Sequence, residues 1–293
     1  MKLKKFRNYS WLLFLTSLFF TTYSQCIFAY SPEKSLVIGI FPRRNSVKTM
    51  SLFNPLKFYL EKKLNQKVII KTSKDFPSFW RGVEKGEYDI VHYNQYHYMI
   101  SRKNFGYEVI VKNKEFGEAT ISGSIIVRKD SGINNVKDLQ GKKIIFGGGP
   151  KAMQSYIYAK YLLEENGLGA YDYVSLFAKN PPNAIIGTYL KQASAAGSGD
   201  KVLRLGVVKN MIDTSELKIL VKGEQLAHLP WAVHKKLPDE LKNTIQSLLA
   251  NLKNSEVGRD ILKSARLDSL EIATDDEYNP HRRIVKKVLG ESY

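Results

Sequence analysis

Five short stretches of the chain gather residues able to hold a small charged molecule. Phe41-Pro42-Arg43-Arg44-Asn45-Ser46 offers the cations Arg43 and Arg44, equally readable as solvated loop charges. His92-Tyr93-Asn94-Gln95-Tyr96-His97 offers Tyr93, directly after a strand, and Asn94. In the run from Gly147 to Ser155, Gly148 and Gly149 let backbone N–H groups approach a bound anion, and Gln154 and Ser155 add polar side chains. Lys179-Asn180-Pro181-Pro182-Asn183 supplies Asn180 and Asn183. In Gly197-Ser198-Gly199-Asp200, small residues permit close approach and Asp200 accepts a hydrogen bond. The chemistry common to these stretches is capture of an oxyanion at strand ends and helix starts, where free N–H groups and the positive end of the helix dipole lie.

Other chemistries fit less well. His92 and His97 form a conceivable metal pair, but the chain has five histidines, no helical His-Glu-x-x-His spacing and one cysteine, so no metal is expected. Gly147 to Ala152 matches the dinucleotide pattern Gly-x-Gly-x-x-Ala, yet Pro150 occupies the turn and no acidic residue closes a clear second strand, so no cofactor is expected. A purely structural turn is the plain alternative. The chain has no Gly-x-Ser-x-Gly elbow and no Walker loop, and an enzyme is not expected.

Alternating strands and helices position these stretches. Apolar runs at 35–41, 68–71 and 88–92 read as strands, with helices over 51–64 and 79–85 between them, an order that implies a mostly parallel sheet with right-handed crossovers. A second unit follows: strands at 121–128, 143–146, 173–177 and 216–221, a helix over 152–166 and another over 182–192. The chain then turns through Leu229-Pro230-Trp231 and ends in helices over 238–253, 256–264 and 281–289, with an acidic cluster before the last.

Composition narrows the class. With 293 residues, 43% of them hydrophobic, the chain can bury a large core; 45 Lys+Arg against 28 Asp+Glu give a net charge of +17. Such a charge suits nucleic acid, a membrane surface or an acidic small molecule. The first residues decide among these. Lys2, Lys4, Lys5 and Arg7 precede the apolar run WLLFLTSLFF, too short to span a bilayer, and Ala29 follows at a small-residue position. This pattern predicts a signal peptide over residues 1–29, whose removal takes four cations and no carboxylate, so that +17 becomes +13. A retained anchor and a lipid on Cys26 are the alternatives; Tyr23, Ser24 and Gln25 do not suit a lipoprotein signal. Export and the scatter of the lysines argue against nucleic acid.

Four stretches carry a family resemblance: NPLKFYLEKKLNQKV, GEYDIVHYNQYHY, SIIVRKDSGINNVKDLQGKKIIFGG and NAIIGTYLKQASAAGSGD. Together they resemble the phosphate/phosphite/phosphonate-binding proteins of ABC transporters, from about residue 35 to the C-terminus. The resemblance implies an α/β, two-lobed, type II periplasmic-binding-protein fold, each lobe a mixed, mostly parallel sheet flanked by helices, with the ligand cleft between. Residues 30–119 and 223–293 would form one lobe and 120–222 an inserted second lobe. Crossovers near 117–122 and 222–226 would be the hinge. The implied role is periplasmic capture of a small solute by a monomer and delivery to an ABC permease in the cytoplasmic membrane. A sensing module for a membrane kinase or chemoreceptor is the alternative with the same fold.

The chain also departs from those relatives. Where they carry a hydroxyl-rich Ser/Thr-Ser-Gly start of helix, it has Lys151-Ala152-Met153-Gln154-Ser155. Phe76 stands where a tyrosine is expected, no histidine lies near Asn180, and Ser194 replaces an acid. A rearranged set of donors and acceptors implies a different preferred ligand, because unpaired buried polar groups cost roughly 1–3 kcal/mol each.

Overall fold

The structure is a computed structural model that describes residues 35–42 and 46–293. Residues 1–29, expected to be a signal peptide, lie outside the described residues, with Cys26 among them, as do Arg43 and Arg44.

Strands β1 (Leu36–Ile40), β2 (Val68–Lys71) and β3 (Ile90–His92) lie parallel, connected by helices α1 (Ser46–Leu64) and α2 (Phe76–Glu84). Asp75 starts α2 by accepting the N–H of Ser78 at 2.8 Å, and Pro77 sits in the first turn, where its missing N–H costs nothing. Helix α3 (Gln95–Phe105) ends at Gly106 in the left-handed conformation (φ 72°), which returns the chain into β4 (Tyr107–Lys114). A crossover through β5 (Thr120–Ile121) leads to β6 (Gly123–Arg128) and β7 (Lys143–Gly147). A π-helical segment, Met153–Tyr158, then runs directly into α4 (Ala159–Glu165). Next come β8 (Val174–Ala178), α5 (Pro181–Tyr189), β9 (Ala195–Gly199), α6 (Gly206–Lys209) and β10 (Leu217–Lys222). The return crossover, β11 (Leu226–Ala227), pairs antiparallel with β5. It is followed by β12 (Pro230–His234), α7 (Asp239–Ala250), α8 (Glu256–Ala265), β13 (Ser269–Ile272) and α9 (Asn279–Leu289).

The first sheet has the order β13-β4-β12-β3-β1-β2 and the second β10-β6-β9-β7-β8. Both use one plan: three parallel strands, then an antiparallel strand supplied by a crossover, then a neighbour antiparallel to it. In the second lobe the alternation of β6 sorts its side chains. Ile125 and Val127 join Phe146, Ile144 and Leu163 on one face, while Ile126 joins Ala196, Ile185 and Val208 on the other.

Several elements differ from the sequence-based expectation, among them α3 and β4, which fall in a stretch for which no element is expected. β12 occupies 230–234, where a turn is expected; its proline is the first strand residue, where the missing N–H is tolerated. Trp231 is fully buried there, stacked on His92 with ring centroids 4.5 Å apart, and its Nε1 donates to Asn113 Oδ1 at 2.9 Å. The expected helix over 152–166 opens as a π-helix. The acidic cluster before α9 is preceded by the edge strand β13.

Glycines let the π-helical segment lie close on the second sheet. A Cβ on Gly197 would fall 2.5 Å from the Ser155 carbonyl oxygen, and one on Gly123 would fall 2.6 Å from Tyr158 Cβ. Tyr158 is 1% exposed, and its hydroxyl donates to the Glu224 carbonyl at 3.0 Å, so the ring has nowhere to move. Gly123→Ala is therefore expected to destabilise the protein by roughly 1–3 kcal/mol, read as a lower urea midpoint. An unchanged midpoint would contradict this packing.

Candidate functional site

The loops after β3 and β7 meet across the two lobes. Asn94 Nδ2 donates to the Lys151 carbonyl at 3.3 Å. Its Oδ1 closes the start of α3, accepting the His97 N–H at 3.0 Å and the His97 Nδ1–H at 2.8 Å. Asn180 does the same for α5, accepting the Asn183 N–H at 3.0 Å, so these two helix starts are satisfied by the chain itself.

The π-helical start differs. Ala152 precedes it and offers no side-chain cap, and the first-turn residues Met153, Gln154 and Ser155 are 1%, 8% and 4% exposed. The first N–H groups of a helix have no partner within it, and with α4 continuing to Glu165 the dipole adds its positive end here. Lys151 stands exposed at the mouth. Gly148 adopts φ 102° and donates its N–H to the Ala178 carbonyl at 2.8 Å, so it shapes the turn while its N–H is committed to the end of β8. Gly149 is exposed, and its carbonyl accepts the Ala152 N–H at 2.9 Å. β8 ends at Ala178 and is followed by Lys179, which leaves no acid at the strand end that a dinucleotide ribose would need.

Helix α9, from the far end of the chain, closes the other side of this helix start. Gln154 Nε2 lies 3.4 Å from His281 Nε2, while Gln154 Oε1 and His281 Nδ1 are buried without hydrogen-bond partners. Gln95, at the start of α3, likewise donates Nε2 to the Ala227 carbonyl at 3.1 Å and leaves Oε1 unpartnered. Met153, Ile157, Tyr158 and Leu162 share one apolar cluster with Tyr96, Tyr278, Ile284 and Val285, and Lys287 pairs with Glu165, so the lobes are in contact through α9. Burial holds the imidazoles of His97 and His281 neutral, each lowered to about 3; the Lys151 charge adds to the effect at His97 and the Arg282 charge at His281.

Two sequence-predicted contacts sit elsewhere. Tyr93 is fully buried in the first lobe, its ring beside Tyr98 and Tyr107 and its hydroxyl bonded to Ser101 Oγ. The side chain after the strand turns inward beneath α3, and burial raises its pKa well above the ordinary tyrosine value. Asp200 faces the crossover strands: Oδ1 accepts the Ser122 N–H at 3.1 Å and Oδ2 accepts from Gln225 at 2.6 Å. Asn183 is exposed at the start of α5. Conversely, His281 borders the helix start although no local pattern marks it, because α9 arrives from about 130 residues downstream. Among the described residues there is no cluster of three or more His, Cys, Asp or Glu able to hold a metal, and no helix long and apolar enough to cross a membrane.

Residues 38–278 match the family described as the phosphonate ABC transporter periplasmic substrate-binding protein. The chain belongs to this family. It is thus a periplasmic-type substrate-binding component of an ABC transporter, a family of binders rather than catalysts. It is 23% identical over 261 residues to the phosphonates-binding periplasmic protein of Escherichia coli K12, covering 87% of this chain and 77% of that one. It is also 23% identical over 242 residues to the phosphate-import protein PhnD of Mycolicibacterium smegmatis, covering 77% and 74%. The solved structure of PhnD1 from Prochlorococcus marinus with methylphosphonate superposes with a TM-score of 0.75 at 18% identity, covering 88% of this chain and 98% of that one. The two-lobed fold of the family is therefore that of this chain.

Proposed function

We propose that the protein captures a phosphate, phosphite or phosphonate between its lobes and hands it to an ABC permease, working in the periplasm as a monomer after removal of residues 1–29. The observation that carries this reading is the uncapped, buried helix start at Met153, Gln154 and Ser155, the counterpart of two starts that the chain caps for itself. An oxyanion there accepts N–H groups that otherwise lack acceptors and lies at the positive helix end, with Lys151 adding charge from the mouth. Contacts of Gln154 with His281 and of Asn94 with the Lys151 carbonyl bring the first lobe to both sides of this helix start. Because the hydroxyl-rich start of the relatives is absent, backbone donors and one ammonium group carry the recognition.

Titration with methylphosphonate, phosphite and phosphate, with sulfate for comparison, tests the reading. A bound anion should stabilise the fold by the mass-action term, about 2.7 kcal/mol at a hundredfold excess over Kd, and so raise the thermal midpoint. If none of the three phosphorus oxyanions shifts the midpoint or gives heat of binding, the oxyanion assignment fails.

A further inference from the structure

At the end of β9, Asp200 is 8% exposed, and its carboxylate is committed to both strands that cross between the lobes. On the first crossover, Oδ1 accepts the Ser122 N–H at 3.1 Å while the Asp200 N–H donates to the Ser122 carbonyl at 2.9 Å. On the second, Oδ2 accepts from Gln225 Nε2 at 2.6 Å, with Lys201 Nζ 3.4 Å away. Ser122 Oγ donates to the Gly223 carbonyl at 2.8 Å and so joins the crossovers to each other. Lys201 also pairs with Glu118, and Arg204 donates to the Phe116 carbonyl at 3.3 Å. The second lobe thus grips both crossovers at one point.

The first lobe takes hold immediately beyond. Gly117, at φ 83° and with nothing within 4 Å of where a Cβ would sit, donates its N–H to the Asp268 carboxylate at 2.5 Å. On the return crossover, the Leu229 carbonyl accepts the Asn113 N–H of the first sheet at 3.0 Å, whereas the His228 N–H still donates to Ala119 at 3.1 Å. Both lobes therefore hold the crossovers: Lys201 reaches Glu118 and Arg204 the Phe116 carbonyl from the second lobe, while Gln95 donates to the Ala227 carbonyl at 3.1 Å and Tyr278 to the His228 carbonyl at 3.0 Å from the first.

We infer that Asp200 is a positioning residue of the hinge: it fastens both crossovers to the second lobe at one point and holds them in register with each other. A hinge motion then carries the Ser122 and Gln225 ends of the crossovers together with the second lobe, instead of letting each flex by itself. The inference builds on the reading that the lobes close on a ligand, and it assigns to Asp200 a role apart from ligand contact.

Full-length protein with spin labels on cysteines replacing Val257 and Tyr171, exposed sites on the first and second lobe, tests it together with amide exchange. Asp200→Ala is expected to speed exchange at Ser122 about tenfold, the factor set by loss of one hydrogen bond of about 1.4 kcal/mol, and to broaden the interlobe distance distribution. Gln225→Ala removes an exposed side chain, so the fold is retained; it is expected to broaden the distribution with little change in thermal midpoint. Unchanged exchange and distances in both variants, with methylphosphonate binding lost in Asp200→Ala alone, would make Asp200 a ligand acceptor and overturn the inference. If the wild type binds no phosphorus oxyanion but the variants still show faster exchange and wider distances, the ligand reading fails while the hinge assignment stands.

Discussion

Ala152→Asp is expected to stabilise the protein while abolishing its binding of oxyanions. Ala152 is the cap residue of the helix start proposed to hold the anion and gives it no side-chain cap, and its backbone already has the extended conformation of a cap (φ −79°, ψ 106°). An aspartate there can accept the N–H of Gln154 or Ser155, which is worth about 1 kcal/mol relative to alanine, and its charge suits the helix dipole. The same carboxylate occupies the donors proposed for the ligand and repels a second anion. The expected result is a higher thermal midpoint without ligand and a methylphosphonate affinity lowered by at least about a hundredfold, equivalent to about 2.7 kcal/mol. A variant that binds methylphosphonate as well as the wild type would show that the anion sits elsewhere. Ala152→Asn separates the two contributions, since it caps without a charge: stability should still rise, and binding should fall less.

Mild acid is expected to unfold the protein through its buried histidines. His97 and His281 each have an imidazole lowered to about 3, chiefly by burial, against about 6.5 in an unfolded chain. Above pH 6.5 neither state takes up a proton, so the stability due to the neutral imidazoles is fully present. As pH falls from 6.5 to about 3, the unfolded chain binds a proton at each position that the fold refuses. Stability drops by about 1.4 kcal/mol per pH unit for each, so about 4 kcal/mol is lost by pH 5 from the pair. That is a large part of the 5–15 kcal/mol typical of a folded domain. No nearby charge relieves this: His97 faces Asn94 and the Lys151 charge, while His281 faces Gln154, Tyr278 and the charge of Arg282. Carboxylates held below their usual range, such as Asp130 at about 2 beside Arg128, act in the same direction only below about pH 4. Urea midpoints at pH 7 and pH 5 check this, and His281→Gln should reduce the difference by about half. Equal midpoints at the two pH values in the wild type would refute it. Since both histidines lie where the lobes meet, the first acid-induced change should be exposure of α9, visible as fast amide exchange over 279–289.

The αβ alternation and the resemblance to the phosphonate-binding family were legible in the sequence because each depends on local signals. Apolar runs mark β1 and β2, Asp75-Phe76-Pro77-Ser78 and Asn180-Pro181-Pro182-Asn183 are capped helix starts, and glycines mark the turn after β7. The direction of a side chain after a strand is not such a signal. Tyr93 and Asn94 are neighbours of similar polarity, yet one turns into the core to Ser101 and the other out to Lys151, and only the packing of α3 on the sheet selects between them. Asp200 shows the same limit. A carboxylate after a Gly-Ser-Gly strand end suits a ligand as well as a hinge, and the choice depends on Gln225 arriving on the return crossover.

By itself, then, the sequence determined the class of fold and the family, since periodicity, capping residues and turn glycines act over a few residues. Which helix start stays uncapped and which polar side chains border it were decided by tertiary structure alone. The reason is distance along the chain: His281 meets Gln154 over 127 residues and Asp200 holds Ser122 over 78, and no local preference encodes a contact that exists only once two sheets and their crossovers are assembled.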